Sequence, residues 1–354
     1  MESIYNQTYE ALKEKYGFRA TQIYSWLYQK YALDFDSMNI NKELKLELKT
    51  NFCISHITPV EIKKSVDGTK KYLFKTQDNL SFESVFLKMK EKKKNAEGLI
   101  IESEKYTFCV SSQVGCKMNC SFCFTAKGGF IRNLKASEIV EQVVALKRDN
   151  GIEAFKSVNI VFMGMGEPLD NLKEVTHAIN IISSKFGLSI SPKRITISTS
   201  GVASKIKELS ELDLGVRLAL SLHAVDDELR SKLMPLNRVY NIKTVLDSIK
   251  SFKLDKRSRI LFEYLIIKDV NDDLKSAAKL VKLLNPFKAK VNLIPFNPHE
   301  GSSYQTPSME VVERFSDFLY SKGLLATIRK SRGQDIDAAC GQLREKHLKG
   351  TKEG

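Results

Sequence analysis

Hydrophobic residues fall at helical spacing near the start of the chain, alternate like strands in the next stretch, and later gather in short apolar runs between amphipathic segments. In Ala20-Thr-Gln-Ile-Tyr-Ser-Trp-Leu, the residues Ile23, Trp26 and Leu27 share one helical face. A second helix is predicted from Asn41, carrying Leu44, Leu46 and Leu48. From Ile57 to Phe74 the pattern alternates, with a turn at Asp67-Gly68, and predicts a ribbon. Residues 88–105 are charged and irregular, and Lys90-Glu-Lys-Lys-Lys-Asn suits a hairpin tip.

Beyond residue 135 the rhythm becomes strand then helix. Helices are predicted over Ala136–Arg148, Val175–Phe186, Val202–Leu212, Val245–Phe252 and Leu274–Leu284. Strands are predicted at Ser157–Met163, Arg194–Thr199, Val216–Leu222, Ile260–Ile267 and Ala289–Pro295. These runs are apolar on both faces, the mark of a parallel sheet covered by helices. About six such units fit the length, short of the eight of a closed barrel. The fold class is therefore α/β, a partial (βα)6 barrel behind a small helical domain. The division is 1–75 for the helical accessory domain and its ribbon, and 76–345 for the barrel and a C-terminal cysteine segment.

Composition changes this picture in one respect. The 354 residues carry 56 Lys and Arg against 42 Asp and Glu, a net charge of +14. Such an excess favours a polyanionic partner, although a generally lysine-rich proteome accounts for it as well. Lys63, Lys64, Lys70, Lys71 and Lys75 on the ribbon form a candidate phosphate footprint; a solvated charged face is the plainer reading. The apolar fraction of 42% excludes a disordered chain. No stretch reaches the roughly 18 apolar residues of a membrane span. The first residues lack a secretion signal, so a cytoplasmic, reducing compartment is expected.

The candidate chemistry is concentrated in Cys116-Lys-Met-Asn-Cys120-Ser-Phe-Cys123, which holds three of the chain's six cysteines. Buried core thiols, a zinc site with Cys109 as a distant fourth ligand, and an iron–sulfur cluster all compete for this run. Lys117, Asn119 and Ser121 interrupt any apolar face, and no second cysteine pair exists for zinc. Three thiolates on a four-iron cluster would leave one iron open to a small molecule. Polar clusters also fall at successive strand ends, where parallel folds bind ligands. They are Gly164-Met-Gly166-Glu167-Pro, Ser198-Thr-Ser-Gly, Ser221-Leu222-His223 and Asn297. Each alone reads as an ordinary turn; the row as a whole does not read as packing.

The CxxxCxxC spacing resembles the radical S-adenosylmethionine superfamily. The wider set CVSSQxGCxxxCxFC, GMGEPLxN, STSG, SLHA, LMPxN and RGxDIDAACGQL resembles the dual-specificity RNA methyltransferase family that makes 2-methyladenosine. A sister family that methylates carbon 8 of a ribosomal adenine shares the cysteines. It tends toward alanine after the glutamate of the GMGE turn and isoleucine for the second serine of STSG. Pro168 and Ser200 here favour carbon 2. Another radical enzyme acting on a small molecule or peptide is the more distant alternative.

The resemblance implies that Cys116, Cys120 and Cys123 ligate a 4Fe–4S cluster. It implies that Gly166, Glu167, Ser198, Ser221, Leu222, His223 and Asn297 line the S-adenosylmethionine site. Cys340 would carry the methyl, Cys109 would resolve the RNA adduct by forming a disulfide with it, and Glu83 would accept the carbon 2 proton. From the residues alone, Cys109 reads as a core strand thiol. Cys340, downstream of Arg329, Lys330 and Arg332, reads as a thiol with a lowered pKa. Glu83 reads as the polar position of an alternating strand, and Cys53 as core. The implied partners are 23S rRNA and tRNA, with flavodoxin or ferredoxin as electron donor, and the chain is expected to act as a monomer away from membranes.

Overall fold

The computed structural model describes residues 1–55, 57–91, 93–94, 100–255 and 258–343. The end of the barrel segment at 345 and part of the Lys90–Asn95 stretch lie outside them.

The N-terminal unit contains α1 (Tyr9–Tyr16), α2 (Arg19–Tyr24) and α3 (Lys42–Asn51). Thr8 and Asn41 cap α1 and α3 by accepting from backbone N–H groups, which satisfies donors that a helix start leaves open. Leu44 and Leu48 point inward, whereas Leu46 is 68% exposed, so the apolar face of α3 is narrower than its three leucines suggest. Cys53 is only partly covered.

A ten-stranded sheet follows. Its strands are β1 (Ile57–Lys64), β2 (Lys70–Thr76), β3 (Ser81–Lys90), β4 (Lys105–Cys109), β5 (Asn159–Phe162), β6 (Ile195–Thr199), β7 (Arg217–Ser221), β8 (Ile260–Ile266), β9 (Ala289–Pro295) and β10 (Ala326–Ile328). They lie in sequence order across the sheet. Strands β1 to β4 pair antiparallel and β4 to β10 parallel. The ribbon is thus an extension of the main sheet. The crossovers carry α4 (Ala136–Asp149), α5 (Leu172–Ser183), α6 (Ala203–Glu211), α7 (Asp227–Leu233) with α8 (Ile242–Lys250), α9 (Leu274–Leu284) and α10 (Met309–Ser321). That gives six strand–helix units and a final strand, the open (βα)6 arrangement expected from the pattern.

One apolar cluster runs from Ile4 to Leu343, so the N-terminal helices share the barrel's core. Glu141, buried on α4, fixes this junction. It accepts from Ser3 Oγ at 2.9 Å, Ser55 Oγ at 2.7 Å and the Ile57 N–H at 3.1 Å. His177 on α5 meets the carbonyl of Asn6 at 2.8 Å.

The sheet has two unpaired edges, β1 and β10, and the C-terminal segment joins them. Gly333 N donates to Asp67 at 3.0 Å, and Asp335 accepts from Ser65 Oγ at 2.6 Å and Val66 N at 3.2 Å. Lys71 Nζ reaches the carbonyl of Asp337 at 3.1 Å. Residues 329–343 therefore form a strap from β10 to the β1–β2 turn. Lys71 is buried at 6% exposure, so it is removed from the proposed phosphate footprint: it is spent inside on this strap and on Glu83.

Candidate active site

Seven parallel strands end at one edge, and the turns beyond them build the site. After β5 the backbone folds back tightly on the segment that follows β4. Gly166 has φ +101°, and a Cβ there would sit 2.5 Å from Gln113 Cβ. At Gly164 a Cβ would meet the carbonyl of Val110 at 2.8 Å. Only glycine permits this approach. It lets Ser111 Oγ accept from Met165 N at 2.8 Å and Gln113 Oε1 accept from Glu167 N at 2.9 Å.

Glu167 is 3% exposed, and burial raises its carboxyl pKa. Its Oε2 accepts from the N–H and the hydroxyl of Ser200, both at 2.7 Å, and Oε1 from Leu169 N at 3.1 Å. The carboxylate thus ties the second turn to the third, and its oxygens edge a cavity.

The cysteine run sits beside it. Cys116 N donates to Gly129 O at 2.7 Å, Ser121 N to Leu233 O at 2.9 Å, and Phe124 N to Gly341 O at 2.8 Å. Burial pushes the Cys116 thiol up to about 12 and the Cys120 thiol well above its usual range; each is raised further by its neighbouring cysteines. Buried thiols as close as Cys116 and Cys120 resist ionising together unless a cationic group compensates them. Among the described residues no three His, Cys, Asp or Glu groups gather tightly enough for one metal ion. A cluster that gives each thiolate its own iron suits three thiols without a fourth protein ligand; a four-coordinate structural zinc does not.

A cavity of about 170 Å³ opens next to the cysteines. Gly166, Glu167, Ser198, Ser221, His223 and Asn297 all line it, as the strand-end row predicts. Leu222 does not: its side chain is buried in the core, and it contributes an N–H that donates to Glu263 O at 3.0 Å. His223 has φ +59°, and its Nδ1 accepts from Leu265 N at 3.0 Å, which leaves the proton on Nε2. Burial, then the charge of Arg230, lowers its pKa to about 3, so the ring is neutral. Phe122 packs edge-on against it with centroids 5.0 Å apart.

A larger cavity of about 490 Å³ occupies the barrel interior. Both Cys109 and Cys340 line it. Cys340 lines the smaller cavity too, together with Met163, Ile294, Asn297 and Leu343, so it stands in the wall between them. Asn297 Nδ2 donates to Cys340 O at 3.2 Å, while its Oδ1 accepts from Ser331 Oγ at 2.6 Å and Gln334 Nε2 at 3.0 Å. Gln342 Nε2 donates to Pro298 O at 2.7 Å and Thr125 Oγ1 to Leu343 O at 2.6 Å.

One cysteine expectation, the lowered pKa of Cys340, needs correction. All six cysteines are free thiols, so the Cys109–Cys340 disulfide is absent from this structure. The disulfide that the resemblance implies belongs to the resolving step, when the two sulfurs must meet at bonding distance. The Cys340 pKa is not lowered: burial raises it, Arg329 opposes that rise, and Glu263 adds to it. Burial likewise pushes Cys109 up to about 12.

Glu83 lines neither cavity. It lies on β3, 3.1 Å from Lys71 Nζ, with both side chains nearly sealed from solvent.

The radical SAM superfamily model matches residues 110–281, and the ribosomal RNA large subunit methyltransferase N-terminal domain matches residues 6–54. The dual-specificity RNA methyltransferase RlmN of Helicobacter hepaticus is 59% identical over 93% of this chain and 90% of its own length. That of Wolinella succinogenes is 57% identical over 99% and 98%. The chain belongs to the RlmN family. A radical SAM methyltransferase from Sphaerobacter thermophilus, 38% identical, superposes with a TM-score of 0.86 over 97% of this chain and 99% of that one. As a radical S-adenosylmethionine methyltransferase of the RlmN family, the enzyme uses a 4Fe–4S cluster and S-adenosylmethionine. No helix among the described residues is long and apolar enough to cross a membrane.

Sequence reasoning missed several groups that this RlmN-type site contains. Glu263 on β8 faces the inside, with Ser198 Oγ and Arg329 Nη1 each 3.5 Å away. A lone acid inside the apolar strand Ile260-Leu-Phe-Glu-Tyr-Leu-Ile was a usable signal. Lys71 and Arg230 gave none, because each looks like one surface cation among many.

Proposed function

We propose that this chain methylates carbon 2 of adenine in large-subunit ribosomal RNA and in tRNA near the anticodon, through a methyl group carried on Cys340. The observation that carries this reading is the position of Cys340 in the wall between the two cavities, with Cys109 facing the larger one. A carrier must reach the cofactor on one side and the base on the other, and a resolving thiol must lie on the base side.

Cys116, Cys120 and Cys123 would hold the cluster, and Glu167, Ser198, Ser221, His223 and Asn297 would hold S-adenosylmethionine. Together these cofactors supply a methyl group and, with one electron, a 5'-deoxyadenosyl radical. The protein's own groups do the rest. The methyl on Cys340 Sγ would lose one hydrogen atom to that radical, its carbon would bond to carbon 2, and the adduct would give up one electron, leaving RNA joined to protein. The carbon 2 proton leaves to a base; Glu83, to which the resemblance gives this role, lies beside Lys71 outside both cavities. Cys109 Sγ then attacks Cys340 Sγ: an S–S bond forms, the S–C bond breaks, and its electron pair stays with the carbon, which takes up a proton to become methyl. The target adenine must leave its stack to enter. The N-terminal helices form an RNA-binding accessory unit on this reading. The enzyme works as a cytoplasmic monomer and takes its electrons from a flavodoxin or ferredoxin.

The test is reconstitution under anaerobic conditions with ribosomal RNA fragments and tRNA, followed by nucleoside mass analysis. 2-Methyladenosine is the expected product. 8-Methyladenosine, or 5'-deoxyadenosine without any methylated base, would overturn the assignment.

A further inference from the structure

Among the described residues, Arg230 is the largest side chain sealed from solvent, at 0% exposure. It belongs to the segment leading into Leu233-Met-Pro-Leu-Asn237, a motif to which the chemistry above gives no task. Its five hydrogen bonds all end on neutral acceptors. Nη2 donates to Ser200 O at 2.7 Å and Ser221 O at 3.1 Å, and Nε to Leu222 O at 3.1 Å. Nη1 donates to Asn237 Oδ1 at 2.8 Å and Tyr240 O at 3.5 Å. Three of these carbonyls belong to the turns after β6 and β7 that line the cofactor cavity. The guanidinium therefore fastens those turns together from behind.

Fastening does not require a charge. An ionised group in the interior costs several kcal/mol of desolvation, and proteins normally place it against an opposite charge. Here the bonded partners supply only dipoles, and the exposed Asp227 carboxylate acts on the charge from the solvent side, where it is bonded to Asn237, so the interior side of the charge is left to act on its surroundings. The neighbouring cysteine loop docks on the same segment, through Ser121 N on Leu233 O at 2.9 Å. Arg230 Nε also holds the carbonyl of Leu222, whose neighbour His223 packs against Phe122, between Cys120 and Cys123, with centroids 5.0 Å apart. A thiolate-ligated cluster would provide an anionic partner on the buried side, where the arginine's hydrogen bonds end only on neutral groups.

We propose that Arg230 is a positioning residue that also serves as the built-in counter-charge of the iron–sulfur cluster and raises its reduction potential. Adding an electron to an anionic cluster is easier beside a fixed positive charge in low dielectric. The step is a one-electron reduction of the cluster by an external donor; Arg230 neither gains nor loses a proton or an electron in it.

The experiment compares wild-type protein with R230K, R230Q and R230M, each with its cluster reconstituted anaerobically. The cluster potential is read by electron paramagnetic resonance in a dye-mediated titration. R230K keeps the charge while dropping most of the carbonyl contacts, so its potential should stay at the wild-type value. R230Q and R230M should shift to more negative potential. The expected shift is about tenfold in the reduction equilibrium, or about 59 mV for one electron. Unchanged potentials in the neutral variants, or an equal shift in R230K, would overturn the proposal and leave Arg230 as a structural bolt. If neither neutral variant retains a cluster, R230K decides: the wild-type potential supports the counter-charge and a downward shift refutes it. Failure of wild-type protein itself to assemble a cluster would instead fail the reading of the cysteine run.

Discussion

Asn297, at the end of β9, holds the main chain of Cys340 by a hydrogen bond from Nδ2 to the Cys340 carbonyl at 3.2 Å. The same amide accepts from Ser331 and Gln334, so one side chain gathers three points of the C-terminal strap. This residue lines both cavities, which couples the cofactor site to the position of the carrier. N297D keeps the acceptor and loses the donor; N297A loses both. Each should slow methylation, N297D by about tenfold from one lost hydrogen bond and N297A by more. Hydrogen exchange across residues 329–343 should rise in the same order. Exchange unchanged in N297A would mean that the strap is held elsewhere.

The two free thiols should fail at different stages. C109A is expected to accumulate a protein–RNA adduct that survives denaturation, because nothing attacks the Cys340 sulfur. C340A should form none. Gel mobility under denaturing conditions separates the cases, and free methylated product from C109A would remove Cys109 from the resolving role.

The Lys71–Glu83 pair is sealed from water, so removing one partner strands the other. K71M should cost about 3–5 kcal/mol of stability. It should also loosen the strap, since Lys71 binds the Asp337 carbonyl. The double variant K71M/E83L should recover part of that stability without recovering activity. Denaturant unfolding gives the coupling; equal losses in the single and double variants would show that the pair contributes little.

His223 is buried neutral, with its pKa lowered from 6.5 to about 3. In the unfolded chain the ring takes up a proton at its ordinary pKa; in the fold it does so only near 3. The unfolded state therefore binds more protons between these values, and stability falls as pH falls through that window. H223N, which suits the positive φ, should flatten the decline between pH 6.5 and 3. Melting temperature against pH for the two proteins measures it, and parallel curves would contradict the assignment.

Much of the site was legible along the chain because its parts are local. The spacing of Cys116, Cys120 and Cys123 lies within one loop. Glu167, Ser198, Ser221, His223 and Asn297 each fall just past an apolar run, and a parallel sheet brings such positions to one edge. Leu222 shared the motif but not the cavity, since neighbouring residues at a strand end point to opposite sides. The Lys71 position was misjudged because a lysine on an alternating strand carries no sign of the segment that will cover it.

The sequence by itself determined the repeating strand–helix order, the cysteine loop and the row of strand-end groups, because each depends on residues near one another in the chain. The tertiary structure alone decided that the C-terminal strap bridges the open sheet, that Cys340 stands between two cavities, that Lys71 meets Glu83, and that Arg230 lies sealed behind the cofactor turns. Those relations join residues distant in sequence, and only packing settles which polar groups lose water and which partners then receive their hydrogen bonds and charge.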